Sequence, residues 1–199
     1  MKLNKAFYTR EDVITISKEL LGKYLVTRID GKQTSGMIVE TEAYMGAEDK
    51  ASHAYGNRKT KRTEPFYKEG GIAYVYMCYG IHYLFNIITN KIDIPHAVLI
   101  RAVEPSEGIE TMLERRKKSK LKPELTAGPG ALSVALGISA NHNETDLSGC
   151  EIWVEDRGVI VKKNEIIASP RVGVAYAKED ALKPWRFRIK DNPYTSKAR

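Results

Sequence analysis

Two carboxylates and an aromatic ring occupy alternate positions of one stretch, as Glu40, Glu42 and Tyr44. Alternate residues of a strand lie on the same face, about 6.5–7 Å apart. A regular strand would therefore place both carboxylates and the ring in one space, where a carboxylate could activate water. A solvated polar face with a tyrosine at its edge is the commoner explanation of such a pattern, so the rest of the chain must decide.

Composition limits the class of protein. The 199 residues are 42% hydrophobic and 29% charged, which is typical of a globular chain, and we predict one domain over residues 1–199. Thirty-two Lys and Arg against 25 Asp and Glu give a net charge of +7. This surplus favours a polyanionic partner such as nucleic acid, although solubility alone would also explain a basic balance.

Cysteines, histidines and apolar runs exclude other classes. Cys78 and Cys150 are the two cysteines and lie far apart in sequence, which predicts free thiols in a reducing cytoplasm. Residues 1–10 are polar and no apolar run approaches membrane-spanning length, so we expect no membrane association. The four histidines and two cysteines lack zinc-ligand spacing, and no metal is expected.

Apolar periodicity predicts the elements that must position these residues. One helix is predicted to be capped by Thr9 and stopped by Gly22, a second to be capped by Ser106, and a third to open at 128–130. The predicted strands span 23–27, 34–44, 72–77, 82–89, 97–103, 151–155, 166–174 and 185–189.

Residues 46–71 have no clear period, and a loop of this length inside a compact domain is usually functional or disordered. It carries a cluster of basic residues directly after the carboxylate strand, including Arg58, Lys59, Lys61 and Arg62. This placement favours anion binding, with a merely solvated loop as the alternative. Glycines at 128 and 130 would also let a phosphate approach the free amide groups of a helix start, which makes Gly130 a candidate DNA-backbone contact.

Two further residues are unusual in their setting. Gly80 predicts a hairpin turn with Tyr79 at its tip, where a large aromatic side chain gains little from burial. Tyr79 therefore either folds back onto the protein, the commoner outcome, or acts as a wedge that enters a stack of bases. Arg101 lies near the end of the mostly apolar run 97–103, and a buried arginine there needs a carboxylate, a phosphate or ordered water as a partner.

Together these parts suit an enzyme that takes a base out of a duplex. Cations would bind the DNA backbone, aromatic walls would hold the flipped base, and a plug would fill the vacated space. Cleavage of the N-glycosidic bond would then need a carboxylate that activates water and stabilises an oxocarbenium-like sugar.

The ordered motifs resemble those of the alkyladenine (3-methyladenine) DNA glycosylases. The resemblance covers nearly the whole chain in order and without large gaps. It implies an α+β fold of one domain, with a curved mainly antiparallel sheet flanked by helices and a protruding tyrosine-tipped β-hairpin. The matching motifs are Val39-Glu40-Thr41-Glu42-Ala43-Tyr44 with Gly46, Glu48, Asp49 and His53, Tyr74-Val75-Tyr76 with Tyr79-Gly80 and Asn86, Leu99 to Pro105, Gly128-Pro129, and Arg171-Val172-Gly173-Val174.

The same resemblance implies catalytic roles for several residues and an enzyme that needs no metal or cofactor. Glu42 matches the general base that activates water, and Arg101 and the backbone of Val172 match groups that hold that water. The implied activity is monofunctional base-excision repair: hydrolysis of the N-glycosidic bond of alkylated, deaminated or etheno purines, leaving an abasic site. The implied partner is double-stranded DNA containing damaged purines, with no obligate protein partner, and the protein is expected to be a cytoplasmic, nucleoid-associated monomer.

Other residues match the DNA-binding parts of the family. Tyr79 matches the residue inserted into the duplex. Glu40 is left outside the site as scaffolding. The base-pocket matches are Tyr44, His53, Tyr76 and Asn86, and the phosphate-contact matches are Arg58, Thr60 and Arg62.

Two other functions fit the same residues. In a non-catalytic nucleic-acid binder the aromatic residues would stack on bases and Glu42 would be incidental. In a nuclease, Glu40 and Glu42 would bind magnesium instead.

Overall fold

Eight strands form one sheet in the computed structural model, which describes residues 1–197, and all their pairings are antiparallel. The strands are β1 Tyr24–Ile29, β2 Lys32–Tyr44, β3 Ala73–Cys78, β4 His82–Thr89, β5 His96–Glu107, β6 Ile152–Glu155, β7 Ile166–Ser169 and β8 Arg186–Ile189. Their order is β3-β4-β5-β2-β1-β6, with β8 paired to both β2 and β7. Together with four helices, this antiparallel sheet confirms the predicted α+β class.

The 13-residue strand β2 is the centre of the sheet. It pairs with β5 along most of its length, with β1 at its start and with β8 near its end. Its register against β5 shifts at three places: Ser35/Gly36, Ile38/Glu40 and Glu40/Thr41. Because β-bulges bend a strand and increase its twist, these shifts curve the sheet beside the carboxylates.

Helices cover the sheet, and the first predicted one starts later than expected. The helices are α1 Lys5–Tyr8, α2 Val13–Glu19, α3 Ile109–Arg116 and α4 Pro129–Leu136. The Asp12 carboxylate, rather than Thr9, caps α2 by accepting hydrogen bonds from the Ile14 and Thr15 amides. The predicted apolar face of α2 is confirmed, because Val13, Ile16 and Leu20 are fully buried.

The predicted Ser106 cap is wrong. Strand β5 continues through Ser106 to Glu107, and α3 begins after Gly108, which has φ +69°. A Cβ at Gly108 would lie 2.3 Å from the Gln33 carbonyl oxygen, so only glycine makes this turn without strain. The chain therefore changes direction two residues later than the serine suggested.

Two other segments refine the predictions. The strand predicted over 166–174 is too long: β7 ends at Ser169, because Pro170 has no amide to donate, and 170–174 has no regular secondary structure and lies beside β2. Residues 46–71 contain only short 3-10 turns and no strand or α-helix, as the lack of period indicated. Between the sheet and its helices lies the main core, built from residues such as Leu25, Ile38, Phe85 and Met112.

Candidate active site

Glu40 and Glu42 have no exposed surface, so the solvated-face explanation of β2 is wrong. Thr41 lies on the opposite face, where its hydroxyl donates to the Ser17 carbonyl of α2 at 2.9 Å. The bulges change the pairing register without separating the two carboxylates, because both reach Arg101. Burial of two acids requires nearby cations and donors, and the fold supplies them.

Two hydrogen-bond donors and one guanidinium hold the Glu42 carboxylate, each from a different segment. Its Oε1 accepts from the Val172 amide at 2.8 Å and lies 3.2 Å from Nη1 of Arg101. Its Oε2 accepts from the Tyr44 hydroxyl at 2.8 Å. A carboxylate offers about four acceptor positions, so one remains beside Tyr44. Val172 was predicted to help hold a water, and its amide donates to the carboxylate itself.

Arg101 is nearly completely buried and meets carboxylates, as one of its predicted alternatives required. Its Nε donates to Glu40 at 2.7 Å while Nη1 faces Glu42. Burial works against the charged form, but the negative charges of Glu42 and Glu40 outweigh it and raise the pKa of Arg101. The guanidinium is therefore a permanent cation behind the carboxylate.

Tyr44 links the carboxylate to the cavity. Burial, and next the charge of Glu42, raise the pKa of Tyr44 well above its usual value, so its hydroxyl remains a donor. The guanidinium of Arg171 lies 4.8 Å from the centre of the Tyr44 ring. Arg171 in turn forms a buried ion pair with Asp49 and donates to the Ala43 carbonyl at 2.9 Å. These contacts fix the ring at the end of β2.

A cavity of about 660 Å³ lies in front of this group. Within it the rings of His53 and Tyr76 meet edge to face, with centroids 4.7 Å apart and planes at 75°. Tyr74 stacks beside Tyr76 at 5.4 Å and 26°. The cavity brings together nine predicted site residues, namely Tyr44, His53, Arg62, Tyr76, Tyr79, Asn86, Arg101, Gly130 and Val172, whereas Glu42 lies directly behind its wall.

His53 is neutral at physiological pH. Burial, followed by the positive charges of Arg62 and Arg58, lowers the pKa of His53 to about 4. Its Nδ1 lies 3.0 Å from the Tyr74 hydroxyl, and Nη2 of Arg62 lies 3.5 Å from its Nε2. Because the arginine can only donate, this arrangement favours Nε2 as the acceptor and Nδ1 as the protonated nitrogen.

Asn86 forms part of the cavity wall on β4. Its Nδ2 donates to the Tyr74 carbonyl at 3.1 Å, across the pair that aligns Asn86 with Tyr74 in β3. The side chain is almost fully buried. This bond fixes the direction of the amide group, so its bulk has a defined place in the cavity.

Tyr79 lies in the three-residue turn between β3 and β4 and is 87% exposed. Tyr79 and Gly80 both have positive φ, at +51° and +70°. This conformation is unfavourable for a tyrosine. Tyr79 therefore does not fold back onto the protein, and its ring is open to solvent.

The predicted phosphate contacts surround the cavity. Arg58, Thr60 and Arg62 are exposed and line an adjoining cavity of about 480 Å³ that also includes His53. Gly130 is buried at the start of α4, where a Cβ would lie 2.6 Å from Cγ of His82. The three loop residues therefore present exposed polar side chains beside the cavity, whereas Gly130 offers only its backbone.

Sequence reasoning missed several residues that build the site. Asp49, Tyr74 and Arg171 stand in the matching motifs without an assigned role, and Arg186 and Ser196 were not considered as site residues. Tyr74 had a signal, since it shares a strand face with Tyr76. Burial of Arg171 and Arg186 had none, because an arginine in a polar segment looks exposed until the fold is known.

Three further features concern the described residues: metal ligands, membrane-spanning helices and cysteines. Within 1–197, no group of three or more His, Cys, Asp or Glu side chains is arranged to hold a metal ion. Over the same range, no helix has the length and apolar character needed to cross a membrane. Cys78 and Cys150 are both free thiols, as expected.

One protein family and several known proteins match this chain over nearly its whole length. The family model described as methylpurine-DNA glycosylase matches residues 6–193. A protein from Chlamydia felis is 47% identical over 188 residues, covering 94% of this chain and 95% of its own. A protein from Clostridium perfringens is 46% identical over 205 residues, covering 99% and 100%. Both are named 3-methyladenine DNA glycosylases, an assignment that their names mark as provisional.

Proposed function

The chain belongs to the methylpurine-DNA glycosylase family, and from that premise we propose that it flips damaged purines out of duplex DNA and hydrolyses their N-glycosidic bond with an activated water. Membership makes it a DNA glycosylase, a DNA-repair hydrolase. The proposal concerns the lesions, the base flipping and the role of each residue.

One observation carries the mechanism: a buried carboxylate, Glu42, is held by two hydrogen bonds and one ion pair directly behind an aromatic cavity. Preorganised donors keep the carboxylate oriented, so little reorganisation is needed during the reaction. The free acceptor position on its Oε2 is where the attacking water would bind. Arg101 and the Val172 amide hold the other oxygen in place.

The cavity fits a flipped purine. Tyr44 would form one wall, and the edge-to-face pair of His53 and Tyr76 the other. A purine alkylated at N3 or N7 carries positive charge, and electron-rich ring faces attract a cation more than a neutral base. Neutral His53 adds no repulsion. Stacking is worth about 1–3 kcal/mol per base. Asn86 would limit the bulk accepted at the pocket floor.

Binding to the duplex would use the residues around the cavity. Arg58, Thr60 and Arg62 are exposed and placed for phosphate contacts, and Gly130 would add its backbone. Tyr79 would fill the space that the flipped nucleotide leaves.

The chemical step is a hydrolysis. Glu42 accepts a proton from water, the water oxygen bonds to C1′ of the deoxyribose, and the C1′–N bond breaks with its electron pair going to the purine. A cationic alkylated purine leaves as a neutral base. Neutral lesions such as hypoxanthine or ethenoadenine need a proton from a general acid, which is why the lesion range must be measured.

The structure bears on the two rival functions. Glu40 and Glu42 are both paired with arginine, so magnesium would have to displace a guanidinium to bind them. A simple base-stacking protein has no need of a buried carboxylate oriented by two hydrogen bonds and one ion pair. We further propose that residues 1–199 act as one domain, as a cytoplasmic, nucleoid-associated monomer with no obligate protein partner.

The decisive assay measures base release from duplexes that each carry one lesion, 3-methyladenine, 7-methylguanine, hypoxanthine or ethenoadenine, in the presence of EDTA. We expect free base and an abasic site from at least the alkylated purines, with an intact strand. Backbone cleavage or a requirement for magnesium would support a nuclease, and binding without release would support a stacking protein.

A further inference from the structure

We propose that Glu40 and Ser196 are positioning residues, which fix Arg101 against Glu42 and so complete the active site from behind. The inference rests on the proposed function, because it assigns these residues to the same hydrolysis. It gives Glu40 a specific role in place of simple scaffolding, and it makes the C-terminal segment part of the site.

Glu40 is the acceptor at the centre of this group. Its Oε1 accepts from Nε of Arg101 at 2.7 Å, Nε of Arg186 at 2.7 Å and Oγ of Ser196 at 2.9 Å. Its Oε2 accepts from the Ser196 amide at 2.5 Å. The carboxylate has no exposed surface, and it receives donors from β5, β8 and the C-terminal segment.

Arg101 divides its guanidinium between two carboxylates and the serine. Nε faces Glu40, Nη1 faces Glu42 at 3.2 Å, and Nη2 donates to Oγ of Ser196 at 3.3 Å. Because a guanidinium is planar and rigid, partners on all three nitrogens fix its orientation. Without Glu40 and Ser196, only the contact to Glu42 would remain to orient it.

The balance of buried charges is a second reason to assign Glu40 a positioning role. Two carboxylates, Glu40 and Glu42, face two guanidinium groups, Arg101 and Arg186, in a region with almost no solvent. Removing Glu40 would remove the ion pair to Nε of Arg101 and draw Arg101 away from its present position. A role limited to stability would leave the Arg101–Glu42 contact unchanged.

The C-terminal segment reaches this group from a distance. Ser196 is 156 residues from Glu40 in sequence, and its carbonyl accepts from Nη2 of Arg186 at 3.0 Å. Asn192 holds the segment nearby by donating to Glu104 at 2.7 Å. Neither Glu40 nor Ser196 lines the cavity, so neither can contact the base directly.

The test separates rate from binding. Glu40→Gln and Ser196→Ala are compared with wild type in single-turnover base release from a 3-methyladenine duplex, and lesion-duplex affinity is measured separately. We expect Glu40→Gln to slow release about 10²-fold, since small misplacements in an active site have effects of this size. Ser196→Ala should slow it by about 10-fold, the lower end of the effect of removing a hydrogen bond to a charged group. Affinity should be unchanged in both.

The matched control is Glu107→Gln, which removes another arginine-paired carboxylate of the same sheet, 3.0 Å from Arg157. It should release base at the wild-type rate. If Glu40→Gln does not fold, Ser196→Ala alone decides, and a changed chemical shift of the Arg101 guanidinium N–H signals, whose Nη2 loses its Ser196 partner, is expected with the slower rate. Full-rate release, or an equal decrease of rate and affinity, overturns the positioning role. Wild-type protein that releases no base overturns the proposed function and this inference with it.

Discussion

His53 carries two properties that depend on one another, its place in the cavity wall and its lack of charge. Burial and the neighbouring arginines hold it neutral, and a neutral ring can lie against a cationic purine without repulsion. The two arginines that lower its pKa are also the proposed phosphate contacts. Binding a phosphate would partly neutralise them, so DNA binding and the protonation of His53 are coupled.

We predict that His53 titrates near pH 4 in the folded protein. Unfolded histidine titrates near 6.5, so unfolding takes up a proton between about pH 6.5 and 4 and this contribution to stability is lost as pH falls through that window. Following the imidazole carbon-bound protons by NMR from about pH 3.5 to 8 measures the midpoint. Arg62→Ala should raise it, because the second-largest cause is removed. A wild-type midpoint near 6.5 would contradict the buried neutral histidine.

The hairpin of β3 and β4 joins the wall of the cavity to its exposed tip. Tyr76 lies within β3, while Tyr79 lies in the turn that follows it. Two consecutive residues of positive φ, Tyr79 and Gly80, set the direction of the turn. A rigid hairpin would therefore place the wedge at a fixed distance from the base pocket.

We predict that Tyr79→Ala weakens lesion binding and flipping rather than the chemical step. The vacated space in the duplex would lose its plug, which lowers the fraction of flipped base. Fluorescence of a flipped-base reporter such as ethenoadenine, together with duplex affinity, measures this. Ile160→Ala, another exposed apolar residue that lines neither cavity, is the control. Unchanged lesion affinity in Tyr79→Ala would count against the wedge.

The alternation of apolar and polar residues, together with the turn residues between segments, predicted most strands. It did not predict where the helices begin. The apolar face of α2 was readable because Val13, Ile16 and Leu20 recur at helical spacing. Its start was not, since Thr9 and Asp12 are both good caps and only tertiary packing chooses between them. The Ser106 error has a similar cause, because the close approach of Gly108 to Gln33 joins residues distant in sequence.

The individual site residues were predictable, but the contacts between them were not. Glu42, Tyr44 and Arg101 could be named because they stand in recognisable motifs. That Arg101 bonds Glu40, and that Ser196 returns to the same carboxylate, depends on contacts across 61 and 156 residues. No local pattern carries such information.

The whole molecule carries its charge in a way that suits a duplex. The net charge is +7, and Arg58 and Arg62 lie beside the cavity. The buried guanidinium groups of Arg101, Arg171 and Arg186 are each paired with a carboxylate. The buried arginines therefore organise the site, and the exposed ones remain available for phosphate.

We predict that Arg58→Ala lowers the salt dependence of DNA binding. Removing one phosphate-binding side chain should reduce the slope of log affinity against log salt by about one, because one fewer counterion is released on binding. Titrations of an undamaged duplex at several salt concentrations measure the slope. Arg28→Ala removes an exposed arginine on β1, far from the hairpin in the order of the sheet, and should leave the slope unchanged. Equal slopes for wild type and Arg58→Ala would remove Arg58 from the interface.

The proposed mechanism depends above all on Glu42 as the residue that activates the attacking water. The decisive comparison is single-turnover base release from a 3-methyladenine duplex by wild type, Glu42→Gln and the exposed control Glu48→Gln. Glutamine keeps the shape of the side chain but cannot accept the proton, so release should slow by about 10²–10⁴-fold while lesion affinity and the control remain at wild-type levels. Release by Glu42→Gln at the full wild-type rate would contradict this role.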